Sequence, residues 1–138
     1  MSKVLIVHTS WYDEYINEMI KISSNIISDC DHEYESACAP GALELAALGK
    51  HHLIKNESSF YSGILFLGIV IRGETTHYDL VTNETFRSIG DLALNHPNTS
   101  VINNVLCVEN TDQLIKRLKI NTKNNTQALI ELINEKSS

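Results

Sequence analysis

The sequence predicts an α/β fold in which helices cover both faces of a four-stranded parallel sheet. The main observation is that short apolar runs rich in β-branched residues alternate with longer runs whose apolar residues recur at helical spacing. A continuous apolar run is typical of a parallel strand, which is buried on both faces. The length of 138 residues and the hydrophobic content of 43% fit a single domain over residues 1–138.

Four runs are predicted to form the strands of the sheet. They are Lys3–His8, His32–Ala39, Gly63–Ile71 and Ser100–Val108. The third reads GILFLGIVI and is the longest apolar run in the chain, so we expect it to be the central strand. This run is too short to span a membrane, which takes about 20 residues.

Five amphipathic runs are predicted to form the helices. They are Tyr12–Asp29, Ala42–Ile54, a helix that begins at Thr76, Thr111–Lys119 and Thr126–Lys136. The helix at Thr76 is expected to use Asp79 as the partner of that threonine in a capping box. Spacing along the same helix predicts a buried face made of Tyr78, Val81, Thr85, Ile89 and Leu92.

The composition excludes several classes of protein. With 11 basic and 17 acidic residues the net charge is −6, which argues against a general nucleic-acid or membrane-surface binder. The three cysteines are odd in number and form no CxxC, and the six histidines form no HExxH, so neither a disulfide framework nor a metal site is expected. The first ten residues lack the features of a signal peptide, and we expect a cytoplasmic protein.

Ligands of parallel α/β sheets bind at the carboxyl ends of the strands, and the strongest candidate there is GIVIRGETTHYDLV, Gly68–Val81. Backbone N–H groups at Glu74 and Thr75 are expected to form an anion site next to the start of a helix. His77 lies in the first turn, and histidine is suited to proton transfer near neutral pH. Helix capping by threonine and a structural histidine remain the alternatives.

Three further residues, two after predicted strands and one on a predicted helix, are candidates for ligand binding. Glu44 comes just after Pro40-Gly41, where its carboxylate can accept hydrogen bonds from a polyol, or simply compensate a helix dipole. Trp11 follows the first strand and offers a flat face to a heterocycle, unless it is a core aromatic. Arg117, on the penultimate predicted helix, can clamp a phosphate, unless it is only a solvated cation.

The motifs IRGETTHYDLV, PGALEL and NNVLCVENTDQ, in register with these sites, resemble the lumazine synthase family of riboflavin biosynthesis. The resemblance runs from about Val4 to about Leu132. It implies a three-layer α/β/α sandwich with flavodoxin-like topology. It also implies a transferase that condenses 5-amino-6-(D-ribitylamino)uracil with 3,4-dihydroxy-2-butanone 4-phosphate to 6,7-dimethyl-8-ribityllumazine. Phosphate and water are released in this penultimate step of the pathway, and no cofactor is needed.

The resemblance also implies a role for each site residue. His77 corresponds to the catalytic histidine that moves protons, Trp11 to the aromatic that stacks on the pyrimidine, and Glu44 to the ribityl-binding carboxylate. The implied substrate-binding positions are Trp11, Ala42, Leu43, Glu44, Val70, Ile71, Glu74, Thr75, Ile102, Asn103 and Arg117.

In this family the site is shared between subunits of a pentamer, so we expect Ile102, Asn103 and Arg117 to act on a neighbour's site. The sequence does not choose among pentamers, decamers and closed shells.

Two other classes of protein also remain as alternatives. One is a flavodoxin-like binding module without catalysis, and the other is an assembly protein that has lost the activity. The partners expected are the two small substrates and further copies of the chain, with no nucleic acid and no membrane.

Two stretches depart from the family pattern. KNNT, Lys123–Thr126, stands where many members have GNKG, so that Asn125 occupies the place of a lysine for which Lys123 is a possible substitute. Asn104 stands where the family has a glycine, and we expect it to keep a turn there because asparagine tolerates the left-handed conformation.

Overall fold

A computed structural model describes residues 3–57 and 60–138. The strands are β1 (Lys3–Thr9), β2 (Glu33–Ala39), β3 (Gly63–Ile71) and β4 (Ser100–Val108). The helices are α1 (Asp13–Asp29), α2 (Leu45–Lys55), α3 (His77–Asn95) and α4 (Thr111–Lys136), and a 3-10 turn, Ala42–Glu44, leads into α2. Within these ranges no helix is both long and apolar enough to cross a bilayer.

The four strands form one parallel sheet in the order β2-β1-β3-β4. This order matches the first four strands of the flavodoxin-like arrangement, so the predicted fold class is confirmed. The strand order reverses between β1 and β3, and a crevice opens there at the carboxyl ends of the strands. The four predicted strands are confirmed, although β1 ends at Thr9 and β2 begins at Glu33, one residue later than predicted.

Alternation along the central strands divides the core into two layers. Val4 and Ile6 of β1 pack with residues of α1 and α4 on one face of the sheet. Leu5 and Val7 pack with residues of α2 and α3 on the other face. Because successive side chains of a strand point to opposite faces, a continuous apolar run fills both layers. The three-layer sandwich is therefore confirmed.

α2 lies close to β3 because Gly49 has no side chain. A Cβ atom at this position would lie 2.8 Å from Cζ of Phe66 and 2.9 Å from Cδ1 of Ile64. We expect Gly49→Ala to lower the free energy of unfolding by about 1–3 kcal/mol through overpacking. Gly90→Ala in α3 is the control, since its Cβ meets nothing within 4 Å, and it should stabilise by about 0.5–1 kcal/mol. Denaturant unfolding measures both effects. Equal unfolding midpoints for the two variants would show that α2 moves away from the sheet at no cost in stability.

The expectation of two terminal helices is wrong, because α4 runs without a break from Thr111 to Lys136. The polar stretch that suggested a break is held by tertiary contacts instead. Thr122 and Thr126 are fully buried, and the Thr126 hydroxyl donates to the Thr122 carbonyl oxygen at 2.7 Å. Thr126 Oγ1 also lies 3.1 Å from Ser23 Oγ of α1. Buried hydroxyls with partners thus override the modest helix propensity of the segment.

The turn expected at Asn104 is wrong as well. Asn104 lies inside β4 and is 1% exposed, and in the described residues positive φ occurs outside glycine only at Tyr12 and Asp31. Its Nδ2 donates to Thr122 Oγ1 at 3.0 Å, and its Oδ1 accepts from Asn125 Nδ2 at 2.7 Å. Asn104 and the KNNT stretch therefore contact each other and fasten α4 to β4.

The predicted starts of three helices shift by a few residues. α1 begins after Tyr12, whose left-handed backbone (φ 60°, ψ 50°) precedes the helix. The predicted helix at Ala42 starts as the 3-10 turn and continues as α2 to Lys55. α3 begins after Thr76 and buries four of the five predicted residues, while Tyr78 is only half-buried.

Candidate active site

A cleft of about 290 Å³ opens at the carboxyl ends of the strands, at the point where the strand order reverses. Its walls come from the loop after β1, the turn after β2, the end of β3 and the start of α3. The lining residues are Trp11, Tyr12, Gly41, Ala42, Leu43, Glu44, Ile69, Val70, Ile71, His77 and Val81. Seven predicted site residues are therefore brought together in one chain.

Trp11 forms one wall of the cleft and is held in place by a hydrogen bond to the turn after β2. Its indole Nε1 donates to the carbonyl oxygen of Pro40 at 3.1 Å, and the side chain is 66% exposed. The left-handed backbone of Tyr12, which costs about 1–2 kcal/mol, turns the chain from β1 into α1 beside it. The carbonyl of Tyr12 then accepts from the N–H groups of Tyr15 and Ile16. A flat, exposed aromatic face thus stands at the cleft.

Glu44 closes the cleft at the turn after β2. A Cβ atom at Gly41 would lie 3.1 Å from Glu44 Oε1, so the carboxylate lies directly against this turn. Leu43 is exposed, and Ala42 is half-buried between the turn and the core. The glycine therefore leaves room for a carboxylate that stays accessible to a ligand.

The floor of the cleft is apolar. Val70 and Ile71 are half-buried at the end of β3, and Ile69 and Val81 beneath them are buried. An apolar floor with few polar groups around it is the usual character of a small-molecule site.

His77 is exposed at the first position of α3, where it lines the cleft. Within the described residues its imidazole ring forms no hydrogen bond, so both ring nitrogens are accessible to a ligand. Its backbone N–H donates to Thr75 Oγ1 at 3.3 Å. The capping box predicted for Thr76 and Asp79 is wrong, since Thr76 makes no side-chain cap and Asp79 pairs with Arg72 instead.

The remaining predicted site residues lie outside the cleft lining. Glu74 and Thr75 are exposed in the loop between β3 and α3, next to the cleft. Ile102 and Asn103 are half-buried in β4, the strand at one edge of the sheet. Arg117 is exposed on α4, which covers the face of the sheet opposite to α2 and α3.

Four residues of the lining are not among the predicted site residues. Tyr12 follows Trp11 directly, Gly41 belongs to the turn before Glu44, and Ile69 directly precedes Val70 in β3. Val81 lies one helical turn after His77 and was predicted only for the buried face of its helix. Tyr12 is, like Trp11, an aromatic directly after the first predicted strand, and Ile69 and Val81 lie within the Gly68–Val81 motif, so the sequence does point to their neighbourhood.

The cysteines differ in accessibility, which gives a testable prediction. Cys30 and Cys38 are exposed, whereas burial raises the pKa of the Cys107 thiol to about 11. Because the thiolate is the reactive form, maleimide at about pH 8 should label Cys30 and Cys38 well before Cys107. Peptide mass spectrometry measures the order, with urea-unfolded protein as the control. Equal labelling of all three in the folded protein would contradict the burial of Cys107.

No three His, Cys, Asp or Glu side chains in residues 3–57 and 60–138 are grouped closely enough to hold a metal ion. The arrangement instead combines an aromatic face, a carboxylate and an imidazole around an apolar floor. These features define an α/β protein with a small-molecule cleft at the switch point of its parallel sheet.

Comparison with known proteins extends this description. A family model described as 6,7-dimethyl-8-ribityllumazine synthase matches residues 1–137. The proteins of that name from Agrobacterium fabrum and Zymomonas mobilis are 35% identical over 127 residues and 33% identical over 124 residues. These alignments cover 89% and 90% of the chain, and 85% and 86% of the relatives. The chain therefore belongs to the 6,7-dimethyl-8-ribityllumazine synthase family, a family of transferase enzymes.

Proposed function

We propose that the protein condenses 5-amino-6-(D-ribitylamino)uracil with 3,4-dihydroxy-2-butanone 4-phosphate to 6,7-dimethyl-8-ribityllumazine, with release of phosphate and water. The observation that carries this proposal is the convergence of Trp11, Glu44 and His77 around one apolar cleft. Each offers the chemistry that one part of the substrate pair requires.

The uracil substrate occupies the part of the cleft between Trp11 and Glu44. Its ring stacks on the exposed face of Trp11, above the apolar floor of Val70 and Ile71. The hydroxyls of its ribityl chain donate to the carboxylate of Glu44 and meet the backbone at Ala42 and Leu43. Because Trp11 is already tied to the carbonyl of Pro40, the aromatic wall and the ribityl wall are held at a fixed separation before substrate binds.

The phosphate substrate is placed beside His77. Its phosphate is held by backbone N–H groups at Glu74 and Thr75, next to the positive end of the α3 dipole. The amine of the uracil attacks the ketone, and loss of water gives an imine. Elimination of phosphate, ring closure and a further dehydration complete the lumazine ring. His77 moves the protons of imine formation and elimination.

We propose further that the working unit is a homo-oligomer built of pentamers. Ile102, Asn103 and Arg117 of one subunit complete the cleft of the next, where Arg117 binds the substrate phosphate. Two observations support this. The three residues lie on β4 and α4, outside the cleft of their own chain, and the cleft is open, so residues of a second chain can reach it.

The activity is tested by mixing purified protein with both substrates and following lumazine fluorescence together with inorganic phosphate. Mixtures without protein, or without one of the substrates, are the controls. We expect equal amounts of lumazine and phosphate. Absence of product throughout about pH 6–8, where histidine titrates, would overturn the proposal. Binding of the lumazine product without turnover would favour the alternative of a binding module.

The shared site is tested by complementation. Co-expressed His77→Ala and Arg117→Gln chains should form mixed oligomers in which some clefts have an intact His77 from one chain and an intact Arg117 from its neighbour. We expect the activity of such mixtures to exceed that of either variant alone. Mixed oligomers without recovery, or a particle of 15.5 kDa in solution, would contradict the shared cleft.

A further inference from the structure

Arg72, the residue directly after β3, lies where the end of β3, the start of α3 and the link between β4 and α4 come together. Its backbone N–H donates to the carbonyl of Val108 at 2.9 Å and so extends the β3–β4 ladder by one step. Its side chain then reaches both the start of α3 and the link between β4 and α4.

The guanidinium binds two carboxylates and covers a ring. Nε lies 2.9 Å from both carboxylate oxygens of Glu109, and Nη2 lies 3.3 Å from Oδ1 of Asp79. Cζ lies 4.3 Å from the ring centre of Tyr78, in the geometry of a cation–π contact. Two carboxylates thus already occupy this cation, which leaves it poorly suited to bind a substrate phosphate.

The three partners of Arg72 lie in two different parts of the chain. Tyr78 and Asp79 directly follow His77 in the first turn of α3. Glu109 is itself tied to α4, because its N–H donates to Oε1 of Gln113 at 2.8 Å. Arg72 therefore connects the end of β3 and the first turn of α4 to the turn that carries His77.

The segment that Arg72 holds has few other anchors. Residues 73–77 are all exposed, and a Cβ atom added at Gly73 would meet nothing within 4 Å. Thr76 provides no side-chain cap, and Val81 is the first residue of α3 to be buried. Besides Arg72, the hydrogen bonds of this loop and first helical turn are local, from the N–H of His77 to Thr75 Oγ1 and from the N–H groups of Asp79 and Leu80 to the carbonyl of Thr76.

We propose that Arg72 is a positioning residue that holds the first turn of α3, and with it His77, in the geometry needed for catalysis. The inference rests on the proposed function for its kinetic consequence, but the positioning itself is a property of the chain. A misplacement of about 1 Å can cost a hundredfold in rate, so a positioning role predicts a large kinetic effect from a residue that does not touch the substrate.

The kinetic test compares Arg72→Gln, Arg72→Lys and Glu109→Gln. Arg72→Gln should lower kcat about tenfold to a hundredfold, with KM of both substrates changed by less than about twofold. Arg72→Lys should not restore kcat, because lysine lacks the planar fork and the stacking of arginine. Glu109→Gln should reproduce part of the loss, and the double variant should lose no more than Arg72→Gln alone. A selective rise in KM for the butanone phosphate, relieved by lysine, would make Arg72 a phosphate ligand and overturn the proposal.

The matched control is Arg87→Gln. Arg87 lies on α3, the helix whose first turn Arg72 contacts, and it pairs with Glu84 through two hydrogen bonds of 2.7 and 2.6 Å. It lies outside the cleft lining. It should leave kcat unchanged.

A second readout separates failure of this proposal from failure of the proposed function. Amide hydrogen exchange over residues 73–80 should be faster in Arg72→Gln than in wild type or Arg87→Gln, whether or not lumazine is formed. Unchanged exchange in this segment would overturn the positioning role on its own.

Discussion

A His77→Ala variant is expected to form lumazine roughly tenfold to a thousandfold more slowly than wild type, the range expected for a lost proton-transfer group. The unfolding midpoint and the size in solution should not change, since His77 is exposed and its ring has no hydrogen bond within the described residues. Initial rates from lumazine fluorescence, measured as kcat and KM, give the comparison. Added imidazole should restore part of the lost rate.

The matched control is His51→Ala, which removes an exposed histidine on α2 that does not line the cleft. It should keep the wild-type rate. Unchanged turnover in His77→Ala would remove His77 from the mechanism. A slow variant that also unfolds at lower denaturant would assign the loss to the fold rather than to proton transfer.

Phe66→Ala is expected to cost about 3–5 kcal/mol of unfolding free energy, among the largest effects of any core substitution. Phe66 is fully buried in the middle of β3, one of the two strands with partners on both sides. Its ring lies close to the backbone of Gly49 in α2, so its removal leaves a cavity between the sheet and that helix. Urea unfolding at fixed protein concentration measures the change.

Phe86→Ala is the control for this substitution, since Phe86 is 49% exposed on α3. Its effect on the free energy of unfolding should stay within about 0.5 kcal/mol. A cost for Phe66→Ala below about 1 kcal/mol would show that α2 collapses onto the sheet and fills the space. That outcome would also weaken the destabilisation predicted for Gly49→Ala, because both depend on a rigid contact.

The strands could be predicted because burial on both faces leaves a direct trace in composition. Gly63–Ile71 and Ser100–Val108 have the predicted bounds, and the apolar run of the first ends sharply at Arg72-Gly73. The cleft could be predicted for a related reason. In a parallel sheet, residues that follow different strands meet at one edge, and Trp11, Glu44 and His77 follow three of them.

What the sequence did not reveal depends on contacts between distant residues. The continuity of α4 rests on Thr122 and Thr126 meeting Asn104 and Ser23, partners that local propensity does not include. The role of Arg72 depends on Asp79 and Glu109 converging on one guanidinium from two different elements. Such pairs become visible only once the fold has placed them together.

The free edge of the sheet at β4 limits how copies of the chain can join. An exposed edge strand usually offers unpaired N–H groups as a template for a strand from another molecule. In this chain Asn103 Oδ1 accepts from the N–H of Val105 at 2.8 Å, so one of these donors is already occupied by a neighbouring side chain. A continuous sheet across two molecules would have to displace this amide. In the proposed oligomer, any contact at this edge should therefore rest on side chains rather than on a shared backbone ladder.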